Sequence, residues 1–459
     1  MIRLFKNIIL ITILLKPDVL YSWHKKMPVI QKNPLYWDWH KINTTQLKFP
    51  ENFLWGVSTS AHQIEGICTK SDWCRWEQLG KVSLKTENAC DHWNRYKEDV
   101  VLMQRLGINA YRFSVDWCMI EPEQGVYDQT ILDHYERLCI ELCAAGIKPV
   151  ITLHHFASPL WFLSKGGFER KENIADFINF CCVVFDRLHP YCTMWITINS
   201  PTSYGGRAYF KAMAPPGLKD GQRMQTVICT MLEAHVRVYK ALKARTANKE
   251  IKIGLVQCIY QIDAGYLWDI IATKAAQALL ETNVYHFFRT GHFDVEVPLL
   301  AKVKHSNHEA SRSLDFIGIN YYSHGQSKNF KVAAFEDELP TQNPLYSIYP
   351  EGLYRAIKDV YHSLAGPLKI PIYITENGIS TDNELHRDLF FKRYLYALSV
   401  ATQEFPVHGY FVWTLLDSYE WGSQKRYGLY SVDPINKNRH IKDGTAYFIE
   451  TVKKHTKRS

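Results

Sequence analysis

The sequence predicts an α/β chain folded as a single (β/α)8 TIM barrel. Three observations predict it: eight apolar or β-rich runs follow one another, most are separated by helical periodicity, and no proline-rich or glycine-serine linker interrupts them. Alternation of this kind implies a parallel sheet with helices packed outside it. Eight similar units fit a closed barrel better than an open doubly wound sheet, which seldom needs so many. The domain is expected over residues 40–459, with an irregular arm up to about residue 48.

The strand runs are 53–61, 110–115, 148–155, 194–200, 251–258, 315–322, 370–376 and 408–415. Each is short, rich in Val, Ile, Phe and Tyr, and apolar on both faces, as barrel strands are. Helical spacing is read over 91–103 (ending near Gly107), 130–145, 173–188, 224–244, 272–289 and 384–404. With 459 residues, 46% of them hydrophobic and 14% aromatic, the chain has material for one large core.

The net charge of +8 is scattered along the chain, so no nucleic-acid partner is expected. The one basic run, 453–458, reads as a solvated tail. No run reaches the roughly 18 apolar residues of a membrane span. At the start, Arg3 and Lys6 precede an apolar stretch over 8–15. That pattern fits a secretory signal peptide or N-terminal leader over 1–22, and hence export, although Lys16, Pro17 and Asp18 interrupt it and Ser22 is the best small residue for cleavage. A leader that does not function would leave the protein cytoplasmic.

The eleven cysteines do not decide the compartment. Their number is odd and no pair has zinc-ribbon spacing. Cys139 and Cys143 lie one helical turn apart and Cys181 and Cys182 are adjacent, which suits buried thiols. Cys68 and Cys74 flank a loop and form the candidate disulfide.

A barrel of this kind places its chemistry at the C-terminal ends of its strands. Polar residues gather there: Gln63 after the first run, His154 and His155 at the third, Asn199 and Ser200 at the fourth. Asn320, Tyr321 and Tyr322 end the sixth, Glu376 ends the seventh, and Trp413 on the eighth leads into Asp417–Trp421. Any one of these alone reads as a satisfied structural group. Six strand ends together read as a site.

Two strings sharpen the reading. Trp-Ile-Thr-Ile-Asn-Ser-Pro over 195–201 and Pro-Ile-Tyr-Ile-Thr-Glu-Asn-Gly over 371–378 resemble the two catalytic motifs of glycoside hydrolase family 1, the β-glucosidase and β-galactosidase family. The stretches 49–56 and 61–66, Tyr111-Arg112-Phe113-Ser114, and Asp315 to Tyr322 are similar to further motifs of that family. The resemblance covers almost everything beyond residue 48. It implies Glu376 as nucleophile, with Arg112 and Tyr322 keeping it ionised and aimed. It implies Gln63, His155, Asn199 and Glu420 as hydrogen-bond partners of a pyranose, and Trp413 and Trp421 as apolar faces for its C–H surfaces.

The sequence also departs from the family. Ser200 stands where the acid/base glutamate belongs, and Phe156-Ala157 follow His155 in place of the usual Trp-Asp. The loop over 417–428 is shorter than usual. It ends Lys425-Arg426-Tyr427-Gly428, close to 6-phospho-β-glycosidases, which generally carry a serine where Glu420 stands. A carboxylate there repels phosphate, so an unphosphorylated sugar is expected. No metal and no organic cofactor is implied.

A retaining glycosidase needs two carboxyl groups about 5 Å apart, one to attack and one to protonate the leaving oxygen and later deprotonate water. A serine hydroxyl gives up no proton near neutral pH. Three readings stay open. The chain is a β-glycosidase specialised for aglycones that leave unprotonated, or one that borrows a proton carrier such as His154, His62 or Glu169. Alternatively it is an inactive sugar- or protein-binding pseudoenzyme, as in the klotho group, or a transglycosidase. An enzyme acting on a β-glycoside or glycan is favoured, because the nucleophile and its supports are kept. Oligomeric state is not set by the sequence.

Overall fold

The computed structural model describes residues 35–456 except 67, 267–268, 298–299, 330, 336–337 and 344–346. The expected leader over 1–22 lies outside these residues.

The eight barrel strands are β1 (Leu54–Ser58), β2 (Ala110–Ser114), β3 (Lys148–His154), β4 (Met194–Asn199), β5 (Lys252–Ala264), β6 (Phe316–Lys328), β7 (Ile372–Asn377) and β8 (Val407–Trp413). Each pairs in parallel with the next, and β8 pairs with β1, so the barrel closes. The helices between them are α1 (His92–Leu106), α2 (Gln129–Ala144), α3 (Ile174–Leu188), α4 (Gly221–Lys243), α5 (Asn283–Thr290), α6 (Pro350–Val360) and α7 (Glu384–Glu404), and α8 (Ala446–Thr456) follows the last strand. Closure removes free sheet edges from the barrel wall, which is why a chain of parallel strands is stable in this form.

Local chemistry sets the helix ends. The Asp128 carboxylate accepts from Thr130 N–H at 2.8 Å at the start of α2, Asp220 accepts from Arg223 N–H at 3.0 Å before α4, and Asn383 does the same for α7. Gly107 ends α1 with φ 79°, a left-handed position where glycine carries no Cβ penalty.

Two cores fill the fold. Inside the barrel, Leu54, Ala110, Val150, Met194, Ile196, Val256, Phe316, Tyr373 and Phe411 form a plug. The second core is the sleeve between strands and helices. The plug requires close backbone approach: a Cβ on Gly254 would meet the Phe316 carbonyl oxygen at 2.6 Å.

Four parts differ from the sequence reading. Strands β5 and β6 run past the barrel rim and pair there from Gln261–His324 to Ala264–Ser327, because their backbone groups continue the ladder whatever the polarity of the side chains. The helix expected over 272–289 divides into Asp269–Gln277, a π turn at Ala278–Thr282, and α5. The start of the expected basic tail is the last turn of α8, where His455 bonds the Thr451 and Leu47 carbonyls and packs edge-on against Phe49. The expected disulfide is not formed, and all eleven cysteines are free thiols. None of the described helices is long and apolar enough to cross a membrane.

Candidate active site

The strand ends converge on one open pocket with an envelope of about 860 Å³, mouth included. Glu376, at the end of β7, is its most constrained carboxylate. Arg112 Nη1 donates to its Oε1 at 2.7 Å, and the Tyr322 hydroxyl donates to its Oε2. Arg112 is fully buried beneath the pocket floor. Its other donors reach the Asn199 Oδ1 at 2.9 Å, the Thr152 hydroxyl at 3.1 Å and the Thr375 carbonyl at 3.1 Å. The guanidinium thus fixes four strands against one another as well as facing Glu376. Burial, with Glu376 and Glu420 adding to it, pushes the Tyr322 hydroxyl well above its ordinary range, so it stays a donor.

Asn199 is held on both sides. Its Oδ1 accepts from Arg112 and from Asn320 Nδ2 at 3.0 Å, which leaves its amide nitrogen to donate to His155 Nε2 at 3.0 Å. Burial, then Arg112, pushes His155 well below the usual imidazole range, so the ring is neutral. A neutral ring accepting at Nε2 carries its proton on Nδ1, an atom with no protein partner.

Glu420 forms the opposite wall. Its Oε1 accepts from Trp413 Nε1 at 2.8 Å and from Gln63 Nε2 at 3.1 Å. Burial pushes its carboxyl up to about 7, against the opposing pull of Trp413, Arg207, Gln63 and Lys425. The aromatic wall is Trp413, His155 and Trp421 with nearly parallel rings: His155 lies 5.8 Å from Trp413 at 27° and 6.2 Å from Trp421 at 20°.

Ser200 lies in the same pocket, at the turn between β4 and the short helix Pro201–Gly205. Its hydroxyl is already engaged, accepting from Cys258 N–H at 3.1 Å and donating to the Ser203 hydroxyl at 2.8 Å. Its φ is 43°, and two other pocket residues, Phe156 (68°) and Trp421 (48°), are left-handed as well. Such backbone costs of order 1–3 kcal/mol per residue and concentrates where function overrides stability.

Of the ten residues the sequence singled out, eight line the pocket. Arg112 lies beneath it. Gln63 stands behind Glu420, fully buried, its amide nitrogen shared between Glu420 and the Tyr419 carbonyl and its oxygen accepting from Ser60. It therefore holds Glu420 in place and does not form the pocket wall.

None of the proposed substitute acids lines the pocket. His154 is buried behind it, bonded to Ser158 and pushed down to about 3 by burial. His62 is tied to Glu77 and Thr86, and Glu169 pairs with Arg223 in a two-pronged bridge at 2.6 and 2.7 Å. The residues that sequence reasoning missed are Ser203 and Arg207, which line the pocket beside Ser200. Positions 200, 203 and 207 share one helix face, so the spacing after Ser200 carried the information.

Comparison with known proteins follows this geometry. The model of the family described as Glycosyl hydrolase family 1 matches residues 45–457. The chain belongs to glycosyl hydrolase family 1. Beta-glucosidase A of Thermotoga maritima is 33% identical over 448 residues, spanning 88% of this chain and 98% of the relative. A 6-phospho-beta-galactosidase of Clostridium acetobutylicum is 28% identical over 87% of this chain and 96% of the relative. Among solved structures, a beta-glycosidase from Pyrococcus horikoshii superposes with TM-score 0.80 at 32% identity, covering 89% of this chain and 96% of that one. The family 1 glucosidase from Thermotoga maritima gives 0.81 at 30%, covering 89% and 99%. As a family 1 glycosidase, the chain has relatives that are O-glycosyl hydrolases.

Proposed function

We propose that this protein transfers glycosyl groups from unphosphorylated β-glycosides through a covalent intermediate on Glu376, with donors whose leaving groups depart as stable anions. The observation that carries the reading is the double clamp on Glu376 by Arg112 and Tyr322, which orients a carboxylate toward the pocket. In the first step the Glu376 oxygen bonds to the anomeric carbon as the bond to the leaving group breaks, and the leaving group takes the electron pair; in the second a water oxygen bonds to that carbon as the Glu376 bond breaks, and the water's proton passes to solvent. Ser200 supplies no proton, since its hydroxyl is committed to Ser203 and near neutral pH gives none. Arg207 and Lys425, both at the pocket wall, provide positive charge that favours an anionic departing group.

The test is intact-protein mass after incubation with a 2-deoxy-2-fluoro glycoside bearing a dinitrophenyl leaving group, which needs no acid to depart. A one-sugar mass increase, absent in Glu376→Gln, is expected. No adduct from folded protein across gluco, galacto and fucosyl reagents would instead favour the second reading, an inactive sugar-binding module. Ser200's engaged hydroxyl is what supports that alternative. A 6-phosphorylated reagent run alongside tests the sugar assignment, because Arg207 and Lys425 flank Glu420.

Glu420 gives this site a pH dependence. Sugar hydroxyls donate to a carboxylate and not to its protonated face, so affinity for a β-glycoside should fall as pH drops through about 7. Glu420→Gln should bind more weakly at high pH and lose the slope. Affinity in the parent protein that stays constant across that pH would remove Glu420 from sugar contact.

A further inference from the structure

Behind the aromatic wall of the pocket lies a second group of chemistry-bearing side chains that the glycosidase reading does not use. The thiols of Cys68 and Cys118 and a carboxylate oxygen of Asp116 all lie within 4.8 Å of one another. They come from separate segments. Cys68 sits in the loop after the turn Ala61–Ile64, while Asp116 and Cys118 follow β2, with Asp116 capping the turn Trp117–Ile120. Cys74, from the helix Asp72–Gln78, adds a third thiol: its Sγ donates to the Cys68 carbonyl at 2.7 Å, and the two thiols are within hydrogen-bond reach. Cys118 is 1% exposed, Asp116 4% and Cys74 8%, while Cys68 is half-buried, so most of the group is withdrawn from water.

The surroundings are short of positive charge. Glu65 is buried, and both its oxygens meet one group, the Tyr135 hydroxyl, at 3.0 Å. Asp72 is 1% exposed and its Oδ2 has no partner. His62 lies beside the cluster, and Glu77 already engages its ring at 3.2 Å. A cation held by Asp116 and the thiols would lie among these buried carboxyl groups and offset the cost of any that ionise. A narrow cleft lined by His62, Glu65, Cys68, Thr86 and Asp116 reaches the cluster and gives an ion access.

We propose that Cys68, Cys118 and Asp116 form a structural site for a thiophilic divalent cation, zinc in the first instance, with Cys74 as the neighbouring thiol that a side-chain rotation would bring in as fourth ligand. Two or three thiolates and one carboxylate are a donor set that suits zinc and leaves calcium and magnesium, which take oxygen, poorly served. On binding, each zinc–sulfur bond forms as an S–H bond breaks, and the protons pass to solvent. The ion would tie the loop carrying Cys68 and Cys74 to the end of β2. Trp73, between those cysteines, packs against Trp421 at 4.7 Å, and His62 stacks on Trp421 at 5.7 Å. The site therefore braces the wall of the sugar pocket from behind, and it does so whatever reaction the pocket performs.

The experiment uses the full chain, purified without chelator and loaded with zinc. Elemental analysis should find stoichiometric zinc, and Cys118→Ser should lower zinc affinity by more than about 100-fold, beyond what loss of a supporting contact does. Cys143→Ser, an exposed cysteine elsewhere, should leave zinc content unchanged. Should Cys118→Ser fail to fold, the unaltered chain still decides: cobalt should give a thiolate charge-transfer band that zinc displaces, and zinc should protect Cys68, Cys74 and Cys118 from alkylation. A chain that takes up no metal overturns the proposal, whether its thiols are free or its mass is lowered by a disulfide at Cys68.

Discussion

Replacing Ser200 with glutamate should raise hydrolysis of alkyl β-glycosides by about 10²–10⁴-fold, the usual worth of a positioned general acid and base. In activation free energy that is roughly 3–5 kcal/mol. The gain should appear with poor leaving groups and be small with dinitrophenyl donors, which leave without a proton. The backbone is ready for the change, because Ser200 already has φ 43° and a glutamate there adds no strain that serine did not carry. What it forfeits is local: Cys258 N–H loses its acceptor and Ser203 its donor, for about 1–3 kcal/mol of stability if nothing replaces them. The measurement is kcat/KM across aglycones of graded acidity, for parent and variant. A steep fall in the parent as the aglycone becomes less acidic, which the variant flattens by raising the rates of poor leaving groups, supports the proposed specialisation. A variant that folds, binds sugar and gains nothing would mean that Ser203, Arg207 and their neighbours have reshaped the aglycone side beyond repair by one residue.

How much of this was readable in advance follows from where the information sits. All eight strands were visible because barrel strands are buried on both faces and stand out as short apolar runs between helical segments. The rim extensions of β5 and β6 were not, since Gln261, Asp263 and His324 look like loop residues until a partner strand is known. The helix α6 was missed although Leu353, Ile357 and Val360 recur at helical spacing behind Pro350. In the site, strand ends placed Glu376, Asn199, His155 and Trp413 correctly near one pocket. Sequence position cannot tell a wall from the support behind it, so it did not reveal that Gln63 also holds Glu420. The cluster of Cys68, Cys118 and Asp116 was invisible for another reason. Its members come from different segments, and spacing rules apply only where ligands share one.

Removing the guanidinium beneath the nucleophile should cost more than any other single change in the pocket. Arg112→Met leaves Glu376 with the Tyr322 hydroxyl as its side-chain partner, and breaking a buried ion pair from one side typically costs about 3–5 kcal/mol. The variant should therefore melt several degrees lower, and labelling by the fluorinated glycoside should slow by at least about 100-fold, since Glu376 and Asn199 both lose the group that aims them. Arg112→Lys should fall between, because an ammonium retains the charge but cannot reach Glu376, Asn199, Thr152 and the Thr375 carbonyl together. The deciding arm is the double variant Arg112→Met with Glu376→Gln. If the destabilisation arises from a stranded charge, deleting that charge should restore much of the lost stability while leaving activity at background, so the two single effects will not add. Additive losses would instead mean that Arg112 matters to the fold as the tie among β2, β3, β4 and β7, and that its pairing with Glu376 is incidental.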